Sequence, residues 1–410
     1  MRKIDTRSFV RATRSTPRAI NRQIVLNLVR DHQPISRAEL ARRMKVGRGL
    51  VTSLVGELLD EGAIYEGPTA DAPRGRRPTM LFVRTHDRLV VAIDVRFSLT
   101  YVMLGDLGGT RIALESFPTI TDPATLVSEL AARVRRLLAE HGARGTCEGI
   151  GLVMPGMVDQ RNGRVLNAPQ LGWRDVDVRD PLATATGLPV SIESASIACA
   201  LAQLWLGDGG SERVGERPGD FVYVTVSDGV GAAIVVDGEV VRGASHTAGE
   251  FGHVPLALDG PRCLCGARGC LEAYTSNLAT LSRFLGREPS AATSRSLRRG
   301  AGPTIEDVIV RAGAGDAAAQ RAVDETARCL GVGLAIMVNA LNPARIYVGG
   351  EITGLWDRIA PTIRAAVAER ALTAAAAATP IVPEPGDGHP RLRGAMALVA
   401  APQFAAPRLA

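Results

Sequence analysis

The hydrophobic period of the chain changes near Leu89, and that single change limits what it can fold into. Before it, apolar residues recur every three to four positions. After it they come in unbroken runs such as Val90-Val91-Ala92-Ile93 and Phe221-Val222-Tyr223-Val224. The first period belongs to amphipathic helices, the second to strands buried on both faces. Charge divides at the same place. Residues 1–90 carry 18 Lys+Arg against 9 Asp+Glu, while the other 320 residues carry 30 against 33. A basic head on a slightly acidic body predicts that the head meets a polyanion, although a soluble Arg-rich arm would give the same balance.

Within the head, Ile20, Ile24 and Leu28, widened by Val25 and Val29, predict a helix over 18–32 that Pro34 ends. Ser36-Arg37-Ala38-Glu39 has the form of a capping box and starts a helix over 36–44, with Leu40 and Met44 inward. Val46-Gly47 then turns into a helix over 48–60 that buries Leu50, Val51, Leu54, Leu58 and Leu59. Two short helices on a tight turn make a helix-turn-helix. Its second helix would read the major groove through Arg48, Thr52 and Ser53. Three polar residues could also be a plain solvated face; the neighbouring Arg37, Arg42, Arg43 and Lys45 favour DNA. Residues 62–83 predict a hairpin wing whose tip carries Arg76 and Arg77, suited to a narrow minor groove, or else a charged loop tip. Residues 1–17 read as a basic arm.

From residue 89 onward, strands and a helix over 123–141 are followed by a similar second set of strands. This predicts two α/β lobes with a cleft between them. The segment 285–303 reads as loop and the tail after Ala400 as a fraying terminus. No apolar run reaches 18 residues, and the basic N-terminus has no apolar core. Neither a membrane span nor a secretory signal is expected, and the expected compartment is the cytoplasm.

Six cysteines in 410 residues do not make a disulfide scaffold. Three stand together in Cys263-Leu264-Cys265-Gly266-Ala267-Arg268-Gly269-Cys270, ten residues after His253. One nitrogen and three sulfurs form a closed tetrahedral set for a structural zinc ion. Gly266 and Gly269 permit the sharp bends this spacing needs. Three unrelated thiols are the alternative.

The stretch ISRAELARRMKVGRGLVTSLVGELLDEGAI, followed by GRRPTMLFV, resembles the winged helix of ROK-family transcriptional regulators. Ala248-Gly249-Glu250-Phe251-Gly252-His253, with Cys263 to Glu272, resembles the body of that family, and the likeness runs over roughly 89–400. It implies a two-lobed α/β fold of actin and hexokinase type. An all-α, winged helix-turn-helix domain at 18–85 would precede it and a tail at 401–410 would follow. It also implies a sugar in the cleft, hydrogen-bonded by Glu250, His253 and Glu272, with Gly156 letting it approach and Glu193 and Ser194 in the same pocket. Alternatively, Glu250 and Glu272 only orient the zinc loop.

The family also contains sugar kinases, and three kinase features depart here. The phosphate loop after the first strand reads Asp94-Val95-Arg96-Phe97-Ser98, with bulky side chains for two glycines. Asp106-Leu107-Gly108-Gly109-Thr110 matches that loop by letter, but it follows the second strand, where the family has a hairpin turn. The second phosphate loop reads Ser227-Asp228-Gly229-Val230-Gly231, placing an acid where a phosphate would lie. The catalytic Asp is replaced by Ser194, which cannot take a proton at neutral pH; such a base is worth roughly 10²–10⁴ in rate. No catalytic residue is therefore assigned. In the head, Gly47 stands where the family has a Ser cap, a loss of about a few tenths of a kcal/mol.

Together these readings predict a repressor that binds palindromic operator DNA as a homodimer or homotetramer. It would respond to a sugar or sugar derivative without phosphorylating it. The competing readings are an active sugar kinase with an appended regulatory head, and a regulator with a dead pocket that answers to a protein partner.

Overall fold

The computed structural model describes residues 16–69, 78–206, 219–298 and 302–405. Arg76 and Arg77 at the wing tip, and the arm before Thr16, lie outside the described residues. The chain forms two compact units. One comprises residues 1–88 with 144–146 and 400–410, the other 89–143 with 147–399.

The first unit is built on three helices, α1 (Thr16–His32), α2 (Arg37–Met44) and α3 (Arg48–Asp60). The Ser36 hydroxyl caps α2 by accepting the Glu39 amide at 3.2 Å. Glu39 does not close the other half of the box; its carboxylate pairs with Arg42 and Arg43 instead. Lys45 takes the left-handed conformation in the turn, and α3 starts on Gly47 with no side-chain cap. The inward faces differ in detail from the expected ones. On α1, Val25, Leu26 and Val29 are buried while Ile24 is exposed. On α3, Val51, Leu54, Val55 and Leu58 are buried, and Leu50 and Leu59 only partly so. A stripe read at four-residue spacing drifts off a period of 3.6, which moves its centre by one residue. Strands β1 (Ile35–Ser36), β2 (Ile64–Thr69) and β3 (Thr79–Val83) form the wing sheet in the order β1-β3-β2, with Tyr65 stacked on Phe82.

In the second unit, the first lobe carries β4 (Arg88–Val95), β5 (Leu99–Asp106), β6 (Arg111–Pro118), β7 (Thr146–Met154) and, beyond a small side sheet, β11 (Val190–Ser194). The side sheet is β8 (Met157–Asp159), β9 (Arg164–Ala168) and β10 (Trp173–Asp177). The main sheet has the order β11-β7-β4-β5-β6, and β11 runs parallel to β7. Helix α4 (Pro123–His141), capped by Asp122, buries Leu126, Leu130 and Val134 in the core that holds Leu89, Val91 and Ile93. Helices α5 (Arg179–Thr186) and α6 (Ala195–Leu206) flank β11 in sequence. Asp106–Thr110 closes the β5–β6 hairpin, with the Thr110 amide donating to Asp106 at 2.9 Å.

The second lobe carries β12 (Phe221–Val226), β13 (Val230–Val236), β14 (Glu239–Val240), β15 (Arg345–Gly349) and β16 (Ile381–Glu384), in the order β14-β13-β12-β15-β16. Helices α7 (Leu271–Thr275), α8 (Asn277–Phe284), α9 (Ala291–Arg298), α10 (Ile305–Gly313), α11 (Ala317–Leu341), α12 (Trp356–Arg370) and α13 (Ala374–Ala377) complete it. The 25-residue α11 is capped by Asp316, and its buried face shares one core with Val222, Val224 and Ile346.

Two expectations of irregular chain are corrected. Within 285–303, α9 forms because Ser290 accepts the Thr293 amide and nucleates a turn that small residues continue. The chain after Ala400 is not frayed up to Phe404. It ends α14 (Pro390–Phe404), and this last turn belongs to the first unit. There Gln23 and Asn27 donate to the carbonyls of Gln403 and Phe404 at 2.9 and 2.8 Å, and Arg30 lies over the Phe404 ring. Side-chain amides thus satisfy carbonyls that a helix end leaves unpaired.

Candidate functional site

The second unit contains a cavity of about 360 Å³ lined from both lobes. The first lobe supplies Gly156, Asn167 and Ser194, and the second supplies Glu250, His253 and Glu272. Gly156 follows β7 with φ +84°, where a Cβ would fall 2.1 Å from the Asn167 carbonyl oxygen. A side chain there would both strain the turn and collide with the backbone of β9, displacing that wall of the cavity.

Glu193 is the expected pocket residue that the structure moves elsewhere. Side chains alternate along β11, so Ser194 faces the cavity and Glu193 does not. Glu193 is fully buried, ion-paired with Arg242, and its Oε1 accepts the Ser194 amide at 2.9 Å. Burial pushes its carboxyl up against the downward pull of Arg242.

A long loop after β14 brings the cysteine cluster to the edge of the cavity. His253, Cys263, Cys265 and Cys270 place their donor atoms within 4.8 Å of one another. The Cys263 sulfur lies 3.8 Å from His253 Nδ1, and the Cys265 and Cys270 sulfurs are 3.8 Å apart. Tetrahedral thiolates at zinc–sulfur bonds of about 2.3 Å would stand roughly 3.8 Å apart, so this donor set fits a four-coordinate metal ion. Gly269, with φ +71°, brings the loop against Ala257, where a Cβ would lie 1.6 Å from the carbonyl oxygen. Burial and the nearby Glu272 push the Cys263 thiol well up. A cation supplies the compensating charge a thiolate needs there.

The cluster and the cavity share side chains. The Nδ1 of His253 faces the cysteines, while its Nε2 lies 3.8 Å from Glu250. Glu272 accepts the Val230 amide at 2.9 Å through one oxygen, and its other oxygen lies 3.4 Å from the Cys263 sulfur. Glu250 is pushed up by burial, against the effect of His253 and with that of Glu272.

The far end of the cavity is ionic. Arg96 donates to Asp94 at 2.6 Å, lies 3.7 Å from Glu351 and covers the Tyr101 ring. Arg391 pairs with the same fully buried Asp94 at 2.8 Å. Glu351 also accepts from Ser227 and Asn277. Asp228 stands beside it, its carboxyl pushed up to about 6 by burial and by Glu351. Sequence reasoning saw Arg96 and Asp228 only as obstacles and missed Asn167, Glu351 and Arg391. The Gly349-Gly350-Glu351 turn after β15 was a legible signal for Glu351; Arg391 lies 297 positions from Asp94 in the chain and left none.

In the first unit, Arg48 and Thr52 are exposed on the start of α3, with the Thr52 hydroxyl turned to the Arg48 carbonyl. Ser53 accepts from Arg18 at 2.7 Å, and Arg37 pairs with Glu66 at 2.6 Å. Both are surface contacts, worth about 0–1 kcal/mol, and are readily exchanged for another partner.

The profile of the ROK family matches residues 90–401. The chain belongs to the ROK family. A protein named putative xylose repressor, from a Caldicellulosiruptor species, is 31% identical over 366 residues, covering 86% of this chain and 88% of its own. A protein named glucokinase, from Halalkalibacterium halodurans, is also 31% identical, but covers 68% of this chain and 84% of its own. Among solved structures, a ROK family transcriptional regulator described as a homolog of the Escherichia coli MLC protein aligns with a TM-score of 0.75. It is 25% identical and covers 95% of this chain and 99% of its own. The repressor and the regulator named here cover 86% and 95% of this chain, and the glucokinase covers a smaller share. Among the described residues no helix is long and apolar enough to cross a membrane.

Proposed function

We propose that this chain is a sugar-responsive transcriptional repressor that does not phosphorylate its ligand. The observation that carries the reading is the contrast inside one cavity. Gly156, Ser194, Glu250, His253 and Glu272 line a polar pocket suited to sugar hydroxyls. At the other end, Arg96 and Arg391 hold Asp94 in the place of a phosphate loop. Ser194 occupies the catalytic position and cannot act as a base at neutral pH.

In this reading a zinc ion held by His253, Cys263, Cys265 and Cys270 is structural. It fixes His253 and the loop bearing Glu250, and has no open position for chemistry. The start of α3, with Arg48, Thr52 and Ser53, enters the major groove, and Arg76 and Arg77 reach the minor groove. Arg37 adds a phosphate contact. The protein works in the cytoplasm as a homodimer or homotetramer on a palindromic operator. Sugar releases DNA because the two ligands favour different conformations, so each weakens the other by the same factor.

The test is a gel-shift on the DNA upstream of the gene itself, with sugars added, run beside an ATP-consumption assay. Sugar-dependent release of DNA with no nucleotide turnover is expected. Sugar-dependent ADP formation would establish the kinase reading, and release by no sugar would favour control by a protein partner.

A further inference from the structure

The sugar pocket opens into a second cavity, of about 410 Å³, and the two share Arg96, Phe97, Tyr101, Gln170, Asp228 and Leu264 among their walls. Each is of a size that holds a small molecule. A single pyranose in the first would leave the second to water. The second cavity has two kinds of wall. Leu278, Leu281 and Ile305 form an apolar side, while Asn277, Ser294 and Thr304 offer amide and hydroxyl groups. Phe97 stands where the two cavities meet.

Charge decides which chemistry this space accepts. Asp228, Glu306, Glu351 and Arg96 line both cavities, and Arg391 lines the first. Both guanidiniums pair with Asp94, and Arg96 also faces Glu351. Among the described residues a phosphate chain would meet more carboxylates than cations, a repulsion that partial burial leaves poorly screened. A neutral ring with hydroxyl groups meets no such opposition. Carboxylates, amides and hydroxyls beside an aromatic ring match its two faces, one polar and one apolar.

We propose that the effector is a neutral disaccharide, its first ring among Gly156, Glu250, His253 and Glu272 and its second in the adjoining cavity beside Phe97, Leu278 and Asn277. The inference rests on the sugar-responsive reading and narrows it. The former nucleotide half is then a second sugar subsite rather than a relic.

Isothermal titration of the full-length, metal-loaded protein tests it. The probes are xylose, glucose, galactose and N-acetylglucosamine, each paired with its own homodisaccharides, and glucose 6-phosphate. At least one disaccharide should bind about tenfold or more tighter than its monosaccharide, which is about 1.4 kcal/mol. Leu278→Trp, which fills the second cavity, should erase that advantage and leave monosaccharide affinity within about twofold. Ser98→Trp, at an exposed position on the rim, repeats the test should the first variant fail to fold. The proposal is overturned if every monosaccharide binds as tightly as its disaccharides, if the tryptophans weaken both alike, or if glucose 6-phosphate binds tightest. If no probe of either size binds, the sugar-responsive reading itself fails and this inference with it; a monosaccharide-only result leaves that reading standing.

Discussion

The two ends of the cleft start from the same scaffold and have gone opposite ways. At one end Glu250, His253 and Glu272 face an open pocket and keep hydrogen-bonding capacity turned inward. At the other, Asp94 is closed off by Arg96 and Arg391, and Glu351 is engaged by Ser227, Asn277 and Arg96. On the proposed reading, a nucleotide site that is given up need not be left empty. A buried carboxylate with no partner costs several kcal/mol, so the fully buried Asp94 needs cations from the chain itself. Two arginines supply them here, and one comes from the far end of the sequence.

The comparison breaks most visibly at the cysteine cluster, because His253 belongs both to it and to the sugar end. Cys270→Ala should reduce bound zinc from about one per chain to near zero by elemental analysis. Thermal stabilisation by sugar should vanish with it. Retained sugar response without metal would separate the cluster from the pocket. Next in size is Glu250→Ala, which removes a carboxylate facing the cavity. Sugar affinity should fall about 10- to 100-fold, the worth of a charged hydrogen bond, while operator affinity without sugar stays unchanged.

The ionic end should respond to pH instead. Asp228 has a folded-state carboxyl pushed up to about 6, above its unfolded value of about 3.9. The folded state therefore holds this proton more tightly, and stability falls as pH rises from about 4 to about 6. Asp228→Asn should match the wild type near pH 4 and exceed it at pH 7 by about 2 kcal/mol, read from chemical denaturation at both values. A variant equally stable at both would show that Asp228 ionises freely. The smallest effect belongs to Arg96→Ala, since Arg391 still partners Asp94. A loss of about 1 kcal/mol in stability is expected, with monosaccharide affinity within about twofold. A large loss of sugar binding would mean that the two ends are not separable.

Much of this was legible in the sequence because it rests on local chemistry. The Ser36 cap, the turn before Arg48 and the Cys263–Cys270 spacing are each set within about ten residues. Glu193 was expected in the pocket beside Ser194, yet alternation along β11 turns it to the other face. Its partner Arg242 was not legible, because a buried ion pair across 49 positions has no local pattern. The same holds for Arg391 with Asp94 and for the docking of Gln403 and Phe404 on α1. In each case tertiary contact, not propensity, places the residue.

The account turns on one claim, that the cleft binds sugar but is closed to phosphate. Calorimetric titration of sugar and of a non-hydrolysable ATP analogue with magnesium, separately and together, tests it most directly. The account predicts heat from sugar alone, none from the nucleotide analogue, and an unchanged sugar affinity when both are present. Saturable nucleotide binding that tightens sugar binding would contradict it.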